Sequence, residues 1–123
     1  MDQASQTEII EQDGVIVIKP PQRFDVASHN PFLKTLDQLP HAPRYLVDLT
    51  ATDYVDSAGL GMLLLLRQRL SCETNSLELH IMPGQVQQTL SISKFDQLFS
   101  MVRHEQPIAQ QPNFFLEPAT QGA

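Results

Sequence analysis

The sequence predicts an α/β domain, a compact sandwich built on a mostly parallel or mixed sheet. Three observations carry that expectation. The 123 residues suit one domain with a real core. β-branched apolar runs alternate with segments whose apolar residues recur every three or four positions, the pattern of strands joined by crossover helices. The links between them are short and rich in Pro, Gly and Asp. The element order reads β-β-α-β-α-β-α-β, with no internal repeat.

Residues 1–7 read as a loose polar lead. Glu8–Glu11 is a candidate edge strand, and Asp13-Gly14 is a strong hairpin turn before the apolar strand Val15–Lys19. Pro20-Pro21 ends that strand, because proline cannot donate to a ladder. Phe32, Leu33, Leu36 and Leu39 share one helical face, with Pro31 in the first turn and Ser28 or Asn30 as cap. A start near Val26 with a distortion at Pro31 is the alternative. Pro40 and Pro43 close the segment. Tyr45–Leu49 is a buried strand, and Thr50–Asp56 a polar turn holding Tyr54 and Val55. A helix follows from Ser57 to about Cys72, then a strand over Leu77–Met82, broken by Pro83-Gly84. Val86 and Leu90 mark a third helix to about Lys94. Phe95, Leu98, Phe99, Met101 and Val102 form a last strand or docked segment. Residues 104–123, rich in Pro and Gln, are expected to be a mobile tail.

Charge and composition remove several functions. The chain is 41% hydrophobic and 18% charged, with a net charge of −6. Residues 1–56 hold nine acids and four bases, so −5; residues 57–123 hold five and four, so −1. An acidic chain without a basic stripe does not suit nucleic acid. The longest apolar run, Met62–Leu66, is far short of a membrane span, so no membrane insertion is expected. The polar, acidic start is no signal peptide, which makes the cytoplasm the default. Cys72 is the single cysteine, which excludes an internal disulfide.

The informative segment is Tyr45-Leu-Val-Asp48-Leu-Thr50-Ala-Thr-Asp53-Tyr-Val-Asp56-Ser57-Ala58-Gly59-Leu60-Gly61-Met62. It reads as strand, polar turn and helix N-terminus. Ser57 and Asp56 stand where side-chain oxygens accept from free backbone N–H groups, and the helix dipole favours a carboxylate or a phosphate there. Gly59 and Gly61 each cost the helix about 1 kcal/mol against Ala, so close approach of another backbone is expected. The helix is apolar beyond one stripe. Leu60, Leu63, Leu64 and Leu70 make a sector expected to face the sheet. Met62, Leu65 and Leu66, with Arg69, make another, either covered within the domain or left for a partner.

Asp56-Ser57-Ala58-Gly59-Leu60-Gly61, after a strand ending in Asp48, resembles the STAS domain family, the bacterial anti-sigma factor antagonists. The resemblance covers about residues 8–103. Arg23-Phe24-Asp25 is similar to the family's loop after its second strand, and Asp96–Phe99 to its late hydrophobic segment. The resemblance implies a STAS-like sandwich, a four- to five-stranded mixed sheet with helices mainly on one face. It implies a switch bound by an anti-sigma factor, often itself a serine kinase of the histidine-kinase-like ATPase superfamily. Ser57 is then the phospho-acceptor, reset by a PP2C-like phosphatase. The partner surface would comprise Asp25, Asp53, Asp56, Ala58, Gly59, Leu60, Gly61 and Met62, with the three acids gathered at the Ser57 end. Some relatives lack the serine and serve in transporters, so an unphosphorylated accessory subunit of a transporter complex is the alternative.

Other readings weigh less. Ser57 as a plain helix cap is the simplest local one. Asp48 suits a turn-orienting role. Asp53 and Asp56 as an acid/base pair or Mg²⁺ site lack a local third ligand, His or Lys. The nucleophile elbow and dinucleotide fingerprint are incomplete here. His29, His41, His80 and His104 lack metal-ligand spacing, so no metal, cofactor or enzyme activity is expected. Phe114-Phe115-Leu116 reads equally as docking motif, edge strand or packing anchor.

Overall fold

A computed structural model describes residues 6–70 and 76–111. β1 (Glu8–Gln12) and β2 (Val15–Lys19) form an antiparallel hairpin. Its Asp13-Gly14 turn has both residues at positive φ, 52° and 80°, as a type I′ turn requires. β4 (Arg44–Asp48) lies parallel to β2, β6 (Ser76–Ile81) parallel to β4, and β7 (Ser100–Arg103) parallel to β6. The result is a five-stranded mixed sheet in the order β1-β2-β4-β6-β7. Helices α1 (His29–Asp37), α2 (Ser57–Leu70) and α3 (Gln85–Ile92) complete the α/β sandwich.

The sheet has two unlike faces. Ile16, Ile18, Tyr45, Val47, Leu79 and Ile81 alternate onto the face that packs against the helices, meeting Phe32, Leu36, Met62, Leu63, Leu66 and Leu90 in one core. The alternate residues, Val17 and Leu46 among them, line the other face and bury Ile108.

Four expectations need correction. First, the Thr50–Asp56 turn holds a short strand, β5 (Tyr54–Val55), parallel to β3 (Arg23–Phe24) in a separate two-stranded ribbon. Second, helix α2 is rolled relative to the expected sector. Gly59, Met62, Leu63, Leu66 and Leu70 face the core, while Leu64 is 41% and Leu65 40% exposed. The roll has a cause: a Cβ on Gly59 would stand 2.4 Å from the Phe24 carbonyl oxygen, so only glycine lets this face approach β3. Gly61 meets nothing within 4 Å, so close approach does not explain it.

Third, neither Ser28 nor Asn30 caps α1 through its side chain. Ser28 is the N-cap residue, but its hydroxyl donates to the Arg23 carbonyl at 3.1 Å. The helix is instead preceded by a 3-10 turn over Val26–Ser28, capped by Asp25. Fourth, residues 104–111, expected to lie outside the domain, pack on the sheet. His104 and Ile108 are buried, and a 3-10 turn over Ile108–Gln110 lies on the sheet. Cys72 and Phe114-Phe115-Leu116 lie outside the described residues.

Candidate functional site

The candidate site is the β3–β5 ribbon and the start of α2. Two loops, one after β2 and one after β4, make the ribbon. Pro20-Pro21 stops β2, and the chain after β4 folds back onto that stop. Thr52 Oγ1 donates to the Pro21 carbonyl at 3.1 Å, and the Asp53 N–H to the Gln22 carbonyl at 2.8 Å. The open edge of β5 is closed by a side chain. Val55 N–H donates to Gln85 Oε1 at 3.1 Å, and Gln85 Nε2 donates to the Val55 carbonyl at 3.0 Å. The Gln85 amide thus stands in for a neighbouring strand and ties the ribbon to α3.

At the end of β5 the chain turns into α2. Asp56 Oδ1 accepts from the N–H groups of Ala58 at 3.0 Å and Gly59 at 3.1 Å. Asp56, not Ser57, is therefore the cap that satisfies the first free amides. Ser57 is the first helical residue. It is exposed, and its hydroxyl bonds to none of the described residues. The simple capping role is thus already filled, which leaves the serine oxygen open to solvent.

The three acids do not gather in one place. The parallel register Arg23↔Tyr54 and Phe24↔Val55 sends Asp25 and Asp56 out of the ribbon at the same end. Asp53 enters at the opposite end, three extended residues or about 10 Å before Asp56. Asp53 is exposed and accepts from Gln22 Nε2. Asp25 accepts from the Ala27 N–H at 3.1 Å and from Arg23 Nε at 3.3 Å. The Arg23 guanidinium lies 4.3 Å over the Tyr54 ring, bracing the ribbon across its two strands.

Among the helical candidates, Ala58, Leu60 and Gly61 are half-buried. Met62 is 1% exposed and Gly59 is buried, so these two hold the helix in place and present no contact surface. Two contributors escaped the sequence reading. Val26, 72% exposed, follows Asp25 and adds an apolar spot to the rim of the site. Gln85 fixes the ribbon from thirty residues away, and nothing in its local sequence signals that. Asp48, 4% exposed, accepts from the Thr50 N–H and hydroxyl, which is the expected turn-orienting role. Among the described residues, no three His, Cys, Asp or Glu side chains group as metal ligands, and no helix is long and apolar enough to cross a membrane.

Comparison with known proteins gives the fold and its motif a context. The family model described as "Mlab, STAS domain" matches residues 11–103. A STAS-domain containing protein of Pseudomonas aeruginosa (strain UCBPP-PA14) is 38% identical over 97 residues, covering 77% of this chain and 96% of that protein. Among solved structures, an anti-sigma factor antagonist from Mycobacterium paratuberculosis superposes with a TM-score of 0.67 at 20% identity, covering 79% of this chain and 84% of that one. A candidate anti-sigma factor antagonist from Thermotoga maritima does so with a TM-score of 0.67 at 17% identity, covering 78% and 85%. At those identities the two structures speak for the shared fold. The family match runs from the first hairpin through β7 and takes in the Asp56-Ser57 turn, and with the Pseudomonas likeness it places the chain in the STAS-domain family.

Proposed function

We propose that this chain is an anti-sigma factor antagonist working as a phospho-regulated binding switch. It binds an anti-sigma factor or related regulator while Ser57 is unmodified, and releases it or changes partner once Ser57 carries phosphate. One observation carries the reading: an exposed serine hydroxyl without a described partner, on the first residue of a helix whose cap is already supplied by Asp56. The names of the Mycobacterium and Thermotoga structures support the antagonist role.

The switch follows from local charge. A phosphoserine adds about −1.5 to −2 at neutral pH. The Ala58 and Gly59 amides are held by the Asp56 carboxylate, so the phosphate would enter beside a fixed negative charge. The fold has little to gain or lose, because Ser57 supports no described contact. A partner surface fitted to a neutral hydroxyl would have to desolvate a dianion, at a cost of several kcal/mol. A loss of about 1.4 kcal/mol already weakens binding tenfold. Val26, Asp25 and the exposed α2 start offer the neighbouring contacts. A serine kinase and a PP2C-like phosphatase would be separate proteins acting on Ser57.

The test is affinity capture with the full chain carrying Ser57→Ala or Ser57→Asp, followed by measured affinities for the captured regulator. The two variants should differ by at least tenfold, with the alanine form binding more tightly. Equal affinities for alanine, aspartate and phosphorylated forms would sink the switch. Absence of phosphate uptake together with capture of transporter subunits would favour the accessory-subunit role instead.

A further inference from the structure

Away from the Ser57 site, the sheet face opposite α1, α2 and α3 carries a polar chain, buried at its two histidines, that crosses from β4 to the segment after β7. Arg44 Nη2 donates to Glu78 Oε1 at 3.0 Å, and His80 Nε2 lies 2.9 Å from the same oxygen. His80 Nδ1 lies 2.7 Å from His104 Nε2, with ring centroids 4.9 Å apart. His104 Nδ1 lies 3.1 Å from Gln111 Nε2, which also donates to the Gln106 carbonyl at 2.9 Å. His80 is 2% and His104 9% exposed.

The direction of every proton follows from the two ends. The Glu78 carboxylate only accepts, so His80 carries its proton on Nε2 and leaves Nδ1 bare. His104 must then donate from Nε2, which leaves its own Nδ1 bare to accept from the Gln111 amide. Both rings are neutral Nε2–H tautomers. Among the described residues, an additional proton finds no place that keeps these bonds intact. On His80 Nδ1 it faces the His104 N–H across 2.7 Å. On His104 Nδ1 it faces the Gln111 NH₂ group. Turning that amide over takes Nε2 away from the Gln106 carbonyl.

The surroundings agree. Burial lowers the affinity of His80 for a proton, and the neighbouring His104 adds to this, against the opposing pull of Glu78 and Asp48. Burial likewise lowers that of His104, against Asp48. Among the described residues, the charged groups facing the rings are Glu78 on β6 and Arg44 and Asp48 on β4. Lys19 lies on β2, one strand further out, and β7 sets the apolar Val102 beside His80. Arg103 and Glu105 flank His104 in sequence and are exposed.

We propose that the His80–His104 pair is a proton-sensitive latch. It holds residues 104–111 on this face while both rings are neutral, and releases that segment when either ring is protonated. What the latch holds is substantial. Ile108 covers Val17 and Leu46, and its N–H donates to Thr50 Oγ1 at 2.9 Å. Release would uncover that apolar strip and remove the bond that Thr50 Oγ1 accepts, in the turn that leads from β4 toward Ser57. The proposal does not depend on phosphorylation of Ser57.

The test uses the ¹⁵N-labelled full chain. At pH 8 the imidazole nitrogen shifts of both rings should report Nε2–H tautomers. Between pH 8 and 5.5 the exchange protection of the Ile108 and Gln111 amides should fall at least tenfold, with a midpoint matching the titration of one ring. Val47 and Leu79, in the central strands, should keep their protection. In His104→Gln the amide can donate to a neutral His80 Nδ1 or turn its oxygen to a protonated one, so the contact survives titration of His80 and the loss should be less than threefold. An Nδ1–H tautomer on either ring, protection of the segment that does not change with pH, or a loss whose midpoint matches neither ring would overturn the latch. So would an equal loss in His104→Gln.

Discussion

Gly59 and Gly61 sit two positions apart in the same helix and do opposite things. An added Cβ on Gly59 would stand 2.4 Å from the backbone oxygen of Phe24, with Phe24 and Val55 side-chain carbons at 3.2 and 3.3 Å. Backbone cannot yield as a flexible side chain can, so Gly59→Ala should cost about 1–3 kcal/mol in overpacking. Gly61 faces open space. Gly61→Ala should stabilise the fold by about 0.5–1 kcal/mol through helix propensity alone. Urea unfolding of the two variants checks the pair: their midpoints should move in opposite directions from the parent. Asp56 presents the same contrast with its neighbour. It holds two amides, and Asp56→Ala should cost about 1 kcal/mol. Ser57→Ala removes no described contact and should leave the unfolding midpoint within experimental error, so any binding defect in that variant reports on the surface and not on the fold.

At the scale of elements, the β3–β5 ribbon is where the fold depends most on a distant side chain. Two paired residues per strand cannot hold their own geometry, and Val55 would leave both backbone groups unpaired without Gln85. Gln85→Ala should therefore cost about 1–3 kcal/mol. It should also raise amide exchange at Val55 well above that at Val47 in the central strand, which hydrogen-exchange mass spectrometry or NMR would resolve. Uniform exchange at both sites would count against the ribbon's dependence on Gln85. The same ribbon shows what sequence could and could not predict. Val15–Lys19 and the strand around Leu46 carry β-branched or apolar runs long enough to read, and the Asp13-Gly14 turn names its own geometry. Tyr54–Val55 is too short to show a period, so it reads as loop. The roll of α2 was hidden because seven apolar residues fit more than one stripe, and the Phe24 carbonyl that decides between them lies 35 positions away. Asp56 and Ser57 were legible as a cap and an open hydroxyl, but not which residue would take which part. The placement of Asp53 at the far end of the ribbon depends on a strand that the sequence did not reveal.

Across the whole molecule, two buried imidazoles, His80 and His104, tie stability to pH in the neutral range. His80 and His104 both hold a proton less readily in the folded chain than a free histidine does, chiefly because burial disfavours the charged ring. Unfolding restores the ordinary affinity, so the unfolded chain binds more protons below the usual histidine pKa of about 6.5. By linkage, stability is full above that value and falls as pH drops from it toward the lowered folded-state values, by up to about 1.4 kcal/mol per pH unit for each proton taken up. Glu78 acts lower on the scale. Its burial raises its pKa, but hydrogen bonds from His80 and Arg44, with the Arg44 charge, outweigh this and hold it below its ordinary value. Its contribution is therefore present above the usual carboxylate range and is lost only as pH falls through that range, so the two windows separate. Urea midpoints measured from pH 8 to 5.5 at fixed ionic strength should fall steadily in the parent chain. In His104→Gln the slope should shrink by the share of one proton, and a slope identical to the parent's would mean that His104 takes up no proton on unfolding. The comparison also separates the local latch from the global fold. If the Ile108 amide loses protection at a pH where the urea midpoint has barely moved, the segment opens on its own, and the sheet beneath it stays folded with Val17 and Leu46 newly exposed.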